Sequence, residues 1–198
     1  MTIHSTRTRR DRFSEWAVIV LVLVSLLLGL ALRAVVEGQS TRFAVTTGVT
    51  VRYPEGWLRK DAQEGVLLQV RDPEAESFHT RYEVRAYPIS AGTPMTTTLS
   101  TVLTNRSLTQ AQGATAYRVL DVYPGDTLRD MPTMEQTYAY VAENYDPFAE
   151  RLPVVVTGLD IALTRGDQAL VFTLLAEQDK FRDAEKQFRR FLGSVEFD

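Results

Sequence analysis

The run WAVIVLVLVSLLLGLALRAVV, residues 16–36, constrains this chain more than any other feature of its 198 residues. Between Ala17 and Leu32 only Ser25 and Gly29 interrupt the apolar side chains. As a helix the run is about 31 Å long, enough to cross a hydrocarbon core of roughly 30 Å. A secretory signal has a shorter apolar region, about 7–15 residues, and ends at a small-x-small cleavage site. Here the run leads into Leu32-Arg33-Ala34-Val35-Val36-Glu37, where no such site stands. The expectation is a retained membrane anchor.

Its orientation follows from the arginines. Arg7, Arg9, Arg10 and Arg12 precede the run, and Arg42 alone falls in the fifteen positions after Val36. The positive-inside rule then puts the N-terminus in the cytoplasm and the bulk of the chain outside. Arg33 can snorkel to the outer interface along its aliphatic stem, and Trp16 occupies an inner aromatic-belt position. The expected layout is a basic cytoplasmic tail over 1–15, a transmembrane helix over 16–36, a tether over 37–41 and an extracytoplasmic domain over 42–198. That makes a single-pass cell-membrane protein in contact with the lipid bilayer.

Residues 37–198 carry 17 Lys and Arg against 23 Asp and Glu. Binding phosphate backbones needs a basic footprint, so nucleic acid is excluded as a partner of this acidic domain. The absence of cysteine rules out disulfides, thiolate metal sites and thioether-linked haem. Length allows one domain with a proper core.

Strand-like runs cover Arg42–Thr46, Val49–Tyr53, Gly65–Arg71 and Tyr82–Ile89, separated by turn signals such as Pro54-Glu55-Gly56 and Asp72-Pro73. A helix is expected over Pro94–Gln112, capped by Thr93 and closed by Gly113, with Leu99, Val102, Leu103 and Leu108 as apolar positions. Further strands follow at Ala116–Tyr123, Met134–Glu143, Val154–Thr164 and Gln168–Glu177. Asp179 then caps an amphipathic helix. Its apolar stripe is Phe181, Ala184, Phe188, Phe191 and Leu192, and Lys180, Arg182, Asp183, Lys186 and Arg189 face water. Val195-Glu196-Phe197 returns as a short strand. Strand-rich blocks punctuated by two helices define an α+β fold, an antiparallel sheet with helices packed on it.

Two stretches carry a family resemblance. VTVRYPEGW (Val49–Trp57) resembles the opening of the PsbP-like family, and ALVFTLLAEQDKFRDAEKQFRRFLGSVEF (Ala169–Phe197) resembles its ending. The resemblance implies an α/β/α sandwich with a mainly antiparallel central sheet, shared with Ran-binding nuclear import factors. It also implies a habit of binding other proteins, and it carries over no catalytic residue. The anchor is a departure from the soluble photosynthetic namesake.

Motifs of chemistry are few. His4 and His79 fall on opposite sides of the expected membrane, so they cannot share a site. The carboxylates of Asp72, Glu74 and Glu76, and of Glu143 and Asp146, read as solvated loops rather than calcium sites. Trp57 is expected in the core, placed by the Pro54–Gly56 turn. Asp160 is read as the solvent-facing residue of a one-sided strand. Ser25, Gly29 and Arg33, spaced by four, share one side of the helix, where small residues admit a neighbouring helix or simply occur unpartnered. Tyr145 and Phe148, in the loop Val141–Pro153, either fold back on the domain, the favoured reading, or meet a partner. Ser25, Gly29, Arg33, Tyr145 and Phe148 are therefore the partner-binding candidates. No cofactor, metal or catalytic residue is assigned.

The expected function is that of a non-catalytic accessory or assembly subunit of a larger membrane protein complex, with a respiratory or photosynthetic electron-transfer complex as one setting. The alternative is a free-standing membrane-anchored receptor or ligand-binding module.

Overall fold

The computed structural model describes residues 16, 18–29, 40–46, 48–61, 65–74, 78–89, 94–142 and 153–197. It divides into two units, Met1–Ser40 and Thr41–Asp198. In the first, residues 18–29 form helix α1. Its apolar side chains, Leu21, Leu23 and Leu27 among them, are half or more exposed. These twelve residues cover about 18 Å, less than a bilayer core needs. No helix among the described residues is long and apolar enough to cross a membrane. The rest of the expected span, Ala17 and residues 30–36 with Arg33, lies outside them.

From Ser40 the chain runs β1 (Ser40–Thr46), β2 (Val49–Pro54), β3 (Leu58–Arg59), β4 (Val66–Arg71), β5 (Arg81–Pro88), α2 (Met95–Gly113), β6 (Thr115–Leu128), β7 (Met131–Ala142), β8 (Val154–Arg165), β9 (Gln168–Glu177), α3 (Phe181–Gly193) and β10 (Glu196–Phe197). Seven strands form an antiparallel sheet in the order β3-β4-β5-β9-β8-β7-β6, and β1-β2-β10 form a small second sheet.

Period-two alternation sends successive side chains of β9 to opposite faces. Leu170, Phe172, Leu174 and Ala176 meet Phe188, Phe191 and Leu192 of α3, together with Val49 and Val51 of β2. Ala169 and Val171 meet Leu99 and Leu103 of α2. The central strand is therefore covered on both sides, which is why it is apolar at nearly every position. Burying side chains of this size stabilises the fold by about 1.5–3 kcal/mol each. Trp57 packs where expected, its ring 4.5 Å from that of Tyr82, which also lies 5.1 Å from Phe188 and from Phe191.

Several local expectations need correction. Asp179 does not cap α3: Lys180 holds the N-cap position without a side-chain bond, and its N–H instead donates to Glu177 O at 3.1 Å. Gly113 is the last residue of α2 rather than a stop beyond its end, and α3 likewise has Gly193 as its last residue. Thr93 lies outside the described residues, and Pro94 itself occupies the N-cap of α2. Leu108 is exposed rather than part of the buried stripe.

The largest difference concerns β6, which does not stop at Tyr123. It continues through Pro124 and Gly125, and the hairpin turns at Arg129-Asp130, both with positive φ. Such a turn matches the twist of the strands it joins, and proline is tolerated because β6 is an edge strand. Gly125 has a steric reason, since a Cβ there would run into the side chains of Glu135 and Thr133. Arg129 then donates to Gly193 O and Val195 O, both at 3.0 Å, placing a cation at the C-terminal end of α3.

Candidate functional site

A polar row crosses the face of the sheet that lies under α2. Gln136, Asp160, Thr173 and Glu83 stand side by side in register on β7, β8, β9 and β5. All four are buried, and Asp160 is 0% exposed. Burial of these groups is tolerable only with partners, and α2 supplies them. Its buried side chains are Thr98, Leu99, Leu103, Arg106 and Ser107, a stripe that is apolar at one end and polar at the other.

Arg106 reaches down from α2 into the row. Nε donates to Asp160 Oδ2 at 2.9 Å, Nη1 to the Tyr87 hydroxyl at 3.0 Å and Nη2 to Thr173 Oγ1 at 2.9 Å. Glu83 Oε1 lies 3.6 Å from Nη2 and also pairs with Arg85. Thr173 donates to Asp160 Oδ1 at 2.6 Å, and Gln136 Nε2 donates to Ser107 Oγ at 2.6 Å. Gln110 donates to the Tyr138 hydroxyl at 3.2 Å and accepts from Tyr117 at 3.1 Å. Burial works against the charge of Arg106, but Asp160 and the neighbouring groups outweigh it and hold its pKa well above the ordinary value. Burial, then the Asp160 carboxylate, push the Tyr138 phenol well above its usual range. Two arginines and two carboxylates thus balance.

A second cluster sits on the opposite face. Arg189 of α3 makes two 2.9 Å bonds to Glu135, whose other neighbour is the Tyr123 hydroxyl at 3.1 Å. The bidentate geometry fixes α3 on β7. Arg189 stays exposed, as expected of it, while its guanidinium also reaches the buried Glu135. In both clusters donors and acceptors are spent on one another. What they can do is hold each helix in one register on the sheet.

Asp160 therefore corrects the sequence reading. Its strand has no solvent face at that point, because α2 covers it. Glu83, Arg106 and Thr173 carried no motif. The available signal was a polar residue with apolar neighbours on both sides, as in Tyr82-Glu83-Val84 and Phe172-Thr173-Leu174, which marks a strand buried on both faces.

Of the partner-binding candidates singled out from sequence, only Ser25 and Gly29 fall among the described residues. Ser25 and Gly29 are on α1, and a Cβ at Gly29 would meet nothing within 4 Å. Arg33, Tyr145, Phe148, His4, Glu76, Glu143 and Asp146 lie outside the described residues. The Asp72 carboxylate accepts from Glu74 N–H at 2.9 Å, a local turn, and His79 Nδ1 lies 2.8 Å from Asp72 O. Among the described residues no group of three or more His, Asp or Glu could hold a metal ion.

A feature absent from the sequence reading is the outer edge of the sheet. β6 is a fourteen-residue edge strand. Val119, Leu120, Val122 and Tyr123 are all more than a third exposed along it.

No family model matches the chain, and neither does any curated protein. Solved structures do. Cyanobacterial PsbP (CyanoP) from Synechocystis superposes with a TM-score of 0.61 at 17% identity, covering 80% of this chain and 92% of that one. A point mutant of the protein Mog1 gives 0.50 at 11% identity, covering 80% and 96%. The Ran-binding protein Mog1p of Saccharomyces cerevisiae gives 0.49 at 11% identity, covering 80% and 95%. At such identities the likeness establishes a fold, the one common to PsbP and Mog1.

Proposed function

We propose that this protein is a non-catalytic accessory subunit of a membrane protein complex, held by a single N-terminal helix with its PsbP-like domain outside the cytoplasm. The observation that carries the reading is the exposure of α1. Apolar residues from Val18 to Leu28 each present half or more of their surface, a stripe on every side of the helix. A helix apolar all round has no place in water and is stable in lipid or among other helices. Residues 16–36 have the length for a span, and the arginines before them set its orientation. The domain adds support of another kind, because the buried carboxylates and arginines described above are engaged with one another.

Two contacts to the complex follow from the sequence, the Ser25/Gly29 side of α1 and the segment around Tyr145 and Phe148. Native electrophoresis of gently solubilised membranes tests the reading. Comigration with a large complex is the expected result. Gly29→Leu should weaken it by holding a packed helix away, and replacing Tyr145 and Phe148 with serine should do the same. A lone species in every preparation would refute the subunit and favour an anchored binding module. Recovery of the protein in the soluble fraction after cell lysis would refute the anchor itself.

A further inference from the structure

We infer that β6 is a self-association edge, and that two copies of this chain join β6 to β6 in antiparallel register to make one continuous sheet. The inference stands apart from the membrane reading and rests on the pattern of the edge. A long edge strand with exposed apolar side chains is a template for pairing, and folded proteins ordinarily blunt it with charges, prolines or bulges. On β6 the two exposed charges nearest the apolar residues, Arg118 and Asp121, do more than blunt.

They share one face. Arg118 stands opposite Ala139 and Asp121 opposite Thr137, two positions apart on β7, because a bulge between Val119 and Asp121 absorbs a residue. In a regular strand, residues three apart point to opposite faces; the bulge puts these two on the same one. An antiparallel second copy placed with Arg118 opposite Asp121 of that copy necessarily sets Asp121 opposite Arg118. One two-fold axis creates two cross-strand ion pairs. The same register sets Val119 opposite Leu120. It also sets Tyr117 opposite Val122, and these two belong to the α2 face: Tyr117 lies 5.2 Å from the Tyr138 ring, and Val122 pairs with Gln136. Charges and apolar groups each match across the axis, as a closed two-fold interface requires.

In the single copy the Asp121 carboxylate accepts from the Val122 N–H at 2.9 Å. Among the described residues Arg118 makes no ion pair. Pairing exchanges the Val122 bond for a strand carbonyl of the second copy and frees the carboxylate for the guanidinium opposite. A partner strand from another protein would need its own charges in this spacing, whereas a second copy brings them by symmetry.

The test uses the full chain in mild detergent, with particle mass from sedimentation and light scattering. The wild type should sediment at twice the chain mass. Arg118→Asp sets carboxylate against carboxylate across the axis, and Asp121→Arg sets guanidinium against guanidinium. Each single change should halve the mass, and the double swap R118D/D121R should restore it. Both side chains are exposed, so all three should keep the wild-type circular dichroism and melt with the wild type at protein concentrations low enough for the wild type itself to dissociate. A wild type that stays monomeric overturns the inference, even if it captures a strand of another protein. A dimer that survives either single swap also overturns it; if Gly29→Leu then dissolves that dimer, α1 is the interface. Failure of the double swap to restore the dimer, with melting unchanged, refutes the register.

Discussion

The ion pair between Arg106 and Asp160 offers the sharpest test of the fold. Asp160→Ala removes a carboxylate that is fully buried and that accepts from Arg106 at 2.9 Å and Thr173 at 2.6 Å. Breaking one side of a buried pair costs about 3–5 kcal/mol, mostly from the charge left behind. Here Arg106 keeps Glu83 at 3.6 Å, which places the expected loss at the lower end, about 3 kcal/mol. Arg106→Met keeps the aliphatic stem but leaves two buried carboxylates, with Arg85 alone beside Glu83. Its cost should reach the upper end, about 5 kcal/mol. For a chain of this size each kcal/mol moves the melting temperature by about 2–4 °C, so the shifts are about 6–12 and 10–20 °C. The double variant removes both charges and should cost less than the two losses added, by about 2 kcal/mol. Urea denaturation followed by circular dichroism on all four proteins completes the cycle. Additivity within about 0.5 kcal/mol, or a loss below about 1 kcal/mol for Asp160→Ala, would refute the assignment of α2 over β8.

Other expectations are more compact. Phe188→Ala truncates an aromatic that is 0% exposed and should cost about 3–5 kcal/mol in the same assay; a variant that unfolds with the parent would remove α3 from the core. Among the described residues the buried Tyr82 hydroxyl has no hydrogen-bond partner, so Tyr82→Phe should stabilise the protein by about 1 kcal/mol, and any loss would contradict that environment. Burial, then Asp72, raise the Tyr82 phenol, and burial, then Asp160, raise that of Tyr138. With folded values above the unfolded value of about 10, their stabilising effect is complete below that pH and is lost as pH rises toward the folded values. Stability should therefore fall above about pH 10, less steeply in Tyr82→Phe, and an identical slope in the two proteins would refute the linkage. Gly158→Ala should destabilise by about 1–3 kcal/mol because its Cβ would enter the Tyr138 ring; an unchanged melt would refute that packing.

Where a residue's neighbours in sequence determine its surroundings, the structure agrees with the sequence closely. β9 runs over Gln168–Glu177, as its apolar run and flanking turns indicate, and the α3 stripe of Ala184, Phe188, Phe191 and Leu192 is buried as its spacing requires. Trp57 meets the core because the Pro54–Gly56 turn aims it there. These are short-range consequences of periodicity and turn chemistry, and the resemblance to PsbP-like proteins rests on the same stretches.

Tertiary structure decided the rest. The helix α2 is rich in threonine, and its hydroxyls bond back to its own carbonyls, as Thr101 does to Thr97 at 2.8 Å, so its sequence does not announce a buried face. That face exists because Arg106 finds Asp160, 54 positions away, and Thr173, 67 positions away. Asp160 looked like a surface residue for as long as the layer above it was unknown. The strand β6 looked finished at Tyr123, because Pro124-Gly125 ordinarily ends a strand. It continues because an edge strand spares the proline a missing bond and because Glu135 packs over the glycine. Period and punctuation are local properties and can be read along the chain. Which face of a strand is covered, and what a buried charge meets there, depends on contacts between distant segments, and those exist only once the layers have packed.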